Sequence, residues 1–191
     1  MGALSTANVQ ALTSAQAGAL SATQVAGLNT AQMAAMESAD LNALSTSALR
    51  ALSTGQLAAL DSTQIGALSS TQVANLTTAQ VAGLGSDDLN ALTSSQIPSL
   101  SSAQVASIAT AQIATLVSDD VISLGSAGIR AFTSAQLGAL NTTNLQALTT
   151  AQAAALTSGQ VTGLSTAQMA ALETADVNAL STSALTALST T

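Results

Sequence analysis

The chain has no cysteine, histidine, lysine, tryptophan or tyrosine. Phe132 is its one aromatic residue, Pro98 its one proline, and Arg50 and Arg130 its only bases. Each absence closes off a class of chemistry. Without Cys and His, a zinc, haem or iron–sulfur centre lacks its usual ligands, and nucleophile–base pairs built on those residues cannot form. Without cysteine there is no disulfide framework. Two bases against nine acids leave a formal charge of -7. Nucleic acid is bound by neutralising its phosphates with Lys and Arg, so no nucleic-acid partner is expected. Mean hydropathy is +0.47, yet Ser, Thr and Gln interrupt every short apolar stretch. No run of about 18 apolar residues exists to form a transmembrane segment. No basic region precedes an apolar core at the N-terminus, so no secretory signal peptide is read there.

What the chain does have is a beat of eight. Leu4, Leu12, Leu20, Leu28, Met36, Leu44 and Leu52 open a series that runs through Ile108, Leu116 and Phe132 to Leu180 and Leu188. With this anchor as the zero place, the residue five later is apolar in all 23 complete octads, from Val9 and Ala17 to Val177 and Leu185. The residue four later is Gln in 14 of the 23 and Asp or Asn in six, which fixes a polar place inside each unit. The residue two after the anchor is Ser or Thr everywhere except Ala22, and the one before the anchor is small, as in Ala11 and Gly27. A typical unit reads L-S-T-A-Q-V-A-A-L.

That string carries two helix-start signals. Ser or Thr followed three residues later by Gln is a capping box, as in Thr13 with Gln16 or Ser53 with Gln56. The anchor before the cap and the apolar residue five places on have the spacing of a hydrophobic staple, as in Leu52 with Leu57. A single continuous helix does not fit. Each residue turns about 100°, so eight turn about 800° and the anchor drifts roughly 80° per octad, circling the axis instead of facing one partner. Strands do not fit either, because anchor and staple would point to opposite faces. The consistent solution breaks the chain once per octad. The spacing predicts an all-α solenoid of very short helices, one per repeat, formed as one continuous array over residues 1–191. Helices this short do not nucleate alone and must be held by a shared core. The number of octads per coil is not readable from the pattern.

A longer repeat is superposed. Residues 2–55 recur as residues 138–191, shifted by 136 positions, with 39 of 54 pairs identical. Met33 matches Met169, Glu37 matches Glu173 and Asp40 matches Asp176. Such particular agreements point to duplication of a long block, and to this chain as a fragment of a longer parent.

The L-S/T-x-x-Q-V-x-A-L array, over the whole chain, resembles the octad tracts of very large bacterial surface and adhesin-like proteins. The resemblance implies a stalk or spacer that carries a binding module elsewhere, an extracellular or cell-surface location, and no catalytic residue. No haem site is carried over, since its ligands are missing.

Five features bear on function. The paired acids Asp87–Asp88 and Asp119–Asp120 lie four octads apart. Either they complement the positive ends of helix dipoles, or they stack on neighbouring coils as calcium ligands. No other cofactor is expected. The Ser/Thr ladder two places after each anchor either caps backbone at helix junctions, or, with the glutamines, forms an extended array that meets glycan, mineral or ice. Arg50 and Arg130 read as surface residues. Pro98 should loosen its coil, and the segment from Val117 to Ala131, with Gly125, Gly128 and Arg130, should be the least regular part and a candidate bend or partner contact. The expected function is a structural spacer without enzymatic activity, with end-to-end self-association through the exposed apolar ends; the alternative is the extended binding surface, with calcium assisting.

Overall fold

The computed structural model describes residues 4–188. The outermost positions of the duplicated block, 2–3 and 189–191, lie outside them. All regular elements among the described residues are helical: 22 α-helices and one 3-10 turn, with no strand. The helices are only four to seven residues long. The chain is a solenoid of short helices, and it divides into two compact units, Met1–Ser99 and Leu100–Thr191.

The helices form and stop for local reasons. At Ser53 the backbone is extended (φ -67°, ψ 158°), and its hydroxyl accepts from the N–H of Gln56 as helix Thr54–Leu57 begins. This satisfies one of the donors that every helix start leaves open. At the other end the anchor resets the chain. Leu44 closes helix Ser38–Ala43 in the extended region (φ -60°, ψ 141°), and Ser45 follows as the next cap. Because the anchor is apolar and turned inward, the break in the helix is also a point of attachment to the core.

Within each unit a helix packs on the one three octads away. In the first unit Ser14–Gly18 lies against Ser38–Ala43, and Ala22–Ala26 against Thr46–Arg50. In the second, Gly125–Ala131 lies against Thr150–Ala154, and Ser158–Val161 against Thr182–Leu188. The apolar places line the interior: Met33, Leu41, Leu57, Ile65, Ile113, Ile129 and Leu137 are fully buried. Removing such side chains from water supplies the stability that the isolated helices lack. Close approach is visible at Gly18, where a Cβ would sit 3.0 Å from the carbonyl oxygen of Ala43 on the packed helix.

Two irregular octads have identifiable causes. Pro98 has no N–H to give to a helix, and its octad forms the 3-10 turn Ile97–Ser99 in place of an α-helix. Ile97 stays buried, so the core contact survives the change in backbone. Between residues 117 and 131 the extended anchor is lost. Leu124 is helical (φ -58°, ψ -25°) and joins Ser118–Ser123 to Gly125–Ala131. Gly125, at φ 61°, is the only positive-φ residue among those described, and it makes the turn that an extended anchor makes elsewhere. Gly128 is needed for space, since a Cβ there would meet the Leu124 side chain at 2.8 Å. Val117 and Ile122 in the same stretch are 49% and 40% exposed.

Candidate functional site

The place that carries polar chemistry into the interior is the one four after each anchor. Most of its glutamines are interior residues: Gln32, Gln72, Gln80, Gln136, Gln152 and Gln160 are all nearly inaccessible. Each performs two tasks. At Gln72 the Oε1 atom accepts from the N–H of Ser69 at 2.8 Å, while the Gln72 N–H donates to Ser69 Oγ at 3.2 Å, completing the capping box. Its Nε2 donates to the carbonyl oxygens of Leu41, Asn42 and Leu44 at 3.0, 3.0 and 2.9 Å. Those carbonyls lie 31, 30 and 28 residues earlier. They belong to the last turn of helix Ser38–Ala43 and the anchor after it, where helix ends leave acceptors unpaired.

The same bond recurs along both units. In the first, Gln56 donates to Leu28, Gln64 to Met36, Gln80 to Leu52 and Gln96 to Leu68. In the second, Gln136 donates to Ile108, Gln160 to Phe132 and Gln168 to Leu140. With helices packing three octads apart and amides reaching 28 to 31 residues back, one coil closes after between three and four octads. Within each unit a column of amides thus links coils to the ones before them.

The hydroxyls two places after the anchor make a second kind of rung, reaching forward. Ser70 donates to the carbonyl of Ser95 at 2.9 Å, Ser126 to Ala151 at 2.9 Å and Ser134 to Gly159 at 2.7 Å. Ser14 donates to Asp40 Oδ1 at 2.9 Å, Ser62 to Asp88 Oδ1 at 3.2 Å and Ser118 to Asn144 Oδ1 at 2.9 Å. This corrects the capping reading of the ladder. Capping falls to the residue one place earlier, and six of these hydroxyls tie adjacent coils instead. Most glutamines of the envisaged array are turned inward, while Gln16 and Gln24 are exposed.

The acids divide by role. Asp87 and Asp88 lie in the first turn of helix Ser86–Asn90, and Asp119 and Asp120 in the first turn of Ser118–Ser123. Both Asp88 oxygens are engaged, Oδ1 with Ser62 and Oδ2 with the N–H of Gly85 at 3.1 Å. The two pairs belong to different units. No group of three or more acidic, His or Cys side chains that could hold a metal occurs among the described residues. Asp120 is buried, its Oδ2 has no hydrogen-bond partner, and burial, with Asp119 beside it, pushes its carboxyl up from 3.8 to about 6. Asp40 and Asp176 are the other two buried acids with an unpartnered Oδ2. All three occupy the glutamine place, which the octad register already shows; that the place faces inward it does not show.

Of the bases, Arg50 donates from Nη1 to the carbonyl of Asn75 at 3.2 Å, another rung between coils. Arg130 is exposed and borders a cleft of about 310 Å³ with Ala155, Ser158, Ser181 and Ser183. No helix among the described residues is long and apolar enough to cross a membrane.

Much of the polar chemistry of this chain is therefore directed from coil to coil, toward assembly of its own stack. A search of curated proteins finds no match. The ALTTAQ repeat family model matches five times, at residues 1–30, 33–70, 81–118, 116–150 and 134–166. These segments cover most of the sequence, and the chain belongs to the ALTTAQ repeat family.

Proposed function

We propose that this chain is a spacer or stalk segment of a large extracellular or envelope-associated, adhesin-like protein, with no catalysis of its own. The observation that carries the reading is the amide column. In octad after octad the one strongly polar interior side chain is consumed in joining a coil to its predecessor, as Gln72 is to Leu41, Asn42 and Leu44. The hydroxyl rungs do the same from the outer side. Such a design adds length by adding repeats, and its stability is a sum of repeat and neighbour terms. The location follows from the resemblance of the octads to bacterial surface tracts.

The test is one of scaling. Chains carrying one, two and three copies of the 136-residue block should show a maximum dimension by small-angle X-ray scattering that grows in proportion to length. A compact globule would instead grow as about the 0.4 power of residue number, and that result would remove the spacer reading.

A further inference from the structure

We propose that the Glu37–Asp40 and Glu173–Asp176 pairs, each with the carbonyl oxygens of the preceding coil, are two equivalent calcium sites.

The argument starts from Asn144, which stands in the glutamine place and shows how a side chain one methylene shorter sits there. Its Oδ1 accepts from Ser118 Oγ at 2.9 Å, and its Nδ2 donates to the carbonyl of Leu116, 28 residues back, at 2.8 Å. Asp40 repeats half of this arrangement: its Oδ1 accepts from Ser14 Oγ at 2.9 Å. Its Oδ2 then takes the place of the Asn144 nitrogen, and the residue 28 back is Leu12. An oxygen is aimed where a donor belongs. That oxygen is buried and has no hydrogen-bond partner, and the same is true at Asp176. An acceptor facing an acceptor in a buried site is costly unless something positive joins them.

The surroundings supply more oxygen. Gln72 shows that three carbonyls of the preceding coil converge on one centre at 2.9 to 3.0 Å. In the register of Asp40 these belong to Val9, Gln10 and Leu12, and in that of Asp176 to Leu145, Gln146 and Leu148. They sit at the end of a helix, the negative end of its dipole, which favours a cation. A second carboxylate stands in the cap place of the same octad. In other octads the cap side chain and the glutamine-place side chain meet, as Ser69 Oγ and Gln72 Oε1 do at 3.1 Å. Here those two places are Glu37 with Asp40, and Glu173 with Asp176, and neither glutamate makes a cap hydrogen bond. Two carboxylates and a cradle of carbonyls form an all-oxygen donor set of the kind calcium accepts in flexible geometry, with water completing the shell. Magnesium demands near-ideal octahedral ligands and fits less well. A groove of about 760 Å³ lined by Gln146, Leu172, Glu173 and Thr174 gives solvent access on the Glu173 side. The pair recurs intact across the 136-residue duplication while 15 of the 54 positions differ.

Isothermal titration calorimetry of chelator-stripped protein with calcium chloride tests the proposal. Two calcium ions per chain are expected, with Kd on the order of 10⁻⁴–10⁻³ M. The thermal midpoint should rise by about 3–6 °C at calcium well above Kd and much less with magnesium. The double variant Asp40→Asn, Asp176→Asn should fold, because asparagine already serves at residue 144, and it should lose both the heat and the shift. No calcium heat from folded protein, an equal response to magnesium, or a double variant that still responds would each overturn the assignment. A midpoint that responds to pH at these two positions and ignores calcium would overturn it too, by showing a proton as the bridge.

Discussion

Gln160 donates from Nε2 to the carbonyl oxygen of Phe132 at 2.8 Å, across 28 residues of sequence. The same side chain accepts through Oε1 from the N–H of Thr157 at 2.8 Å. One amide therefore starts a helix and fastens the coil behind it. The two tasks can be separated by position in the stack. Gln16 and Gln24 make the cap bonds, but they are exposed and have no Nε2 bond among the described residues.

This sets up a paired measurement. Gln160→Ala removes the cap acceptor and the amide donor to the buried carbonyl of Phe132, while the Ile129 carbonyl keeps the N–H of Phe132. A cost of about 2–4 kcal/mol is expected, from an unsatisfied buried group plus a lost cap. Gln24→Ala loses only the cap interaction and should cost about 0.5–1 kcal/mol. Urea denaturation of both variants checks the difference. Equal losses would mean that the bonds between coils contribute nothing net.

How much of this was legible in the sequence depends on which atom of Gln160 is considered. Its Oε1 task is local. Thr157 and Gln160 stand three apart, so the capping box, the helix start and the break at each anchor follow from spacing. Its Nε2 task spans 28 residues, and a strict period of eight gives no reason to choose one distant octad over another. Coil closure, the burial of the glutamines and the forward rungs such as Ser134 to Gly159 are invisible for that reason. Local disturbances were readable in part. Pro98 signals a lost helix because proline lacks a donor. Gly125 and Gly128 signal irregularity, but not that Leu124 would become helical and fuse two helices. The buried Asp40, Asp120 and Asp176 resemble ordinary first-turn acids until the glutamine place is known to face inward.

Glycine offers a second test, in which open space is held constant. A Cβ at Gly55 or at Gly125 would meet nothing within 4 Å. Gly55 lies within helix Thr54–Leu57, whereas Gly125 has φ 61°. Gly55→Ala should stabilise by about 0.5–1 kcal/mol, by restricting the unfolded chain and favouring helix. Gly125→Ala should destabilise by about 1–2 kcal/mol, the cost of left-handed backbone with a side chain. Opposite shifts in thermal midpoint are expected, and shifts of the same sign would count against a backbone requirement at Gly125.

Asp120 gives the stability curve a pH dependence of definite sign. Its carboxyl titrates near 6 in the folded chain and near 3.8 when free, so the folded state holds the proton more tightly. The stabilisation is fully present below about 3.8 and is lost as pH rises through about 6. Wild type should therefore gain on Asp120→Asn as pH falls from 7 to 5. The slope has a ceiling of about 1.4 kcal/mol per pH unit, reduced by solvent screening. Denaturant midpoints of the two proteins, measured across that range, should converge at low pH. Parallel curves would show that the residue is not the titrating group.

The spacer reading also carries an expectation for self-association, and the end coils say how to perturb it. Leu12 and Leu20 are half-buried where Leu28 and Met36 are buried, and Leu185 is 40% exposed where Leu137 and Leu145 are fully buried. Gln16 and Gln24 present amide donors in the register that elsewhere meets a carbonyl, and the carbonyls of Leu172 and Leu180 accept no hydrogen bond among the described residues. Copies that continue the stack would pair these donors and acceptors while covering the exposed leucines. Light scattering should then show a mass that rises with concentration. Gln16→Glu with Gln24→Glu keeps an acceptor for each capping box, since glutamate serves there as well as glutamine. It replaces each amide donor with a charged acceptor facing carbonyls. That variant should remain folded by circular dichroism and stay monomeric at concentrations where wild type associates. A wild-type mass that stays constant with concentration would rule out stacking of copies.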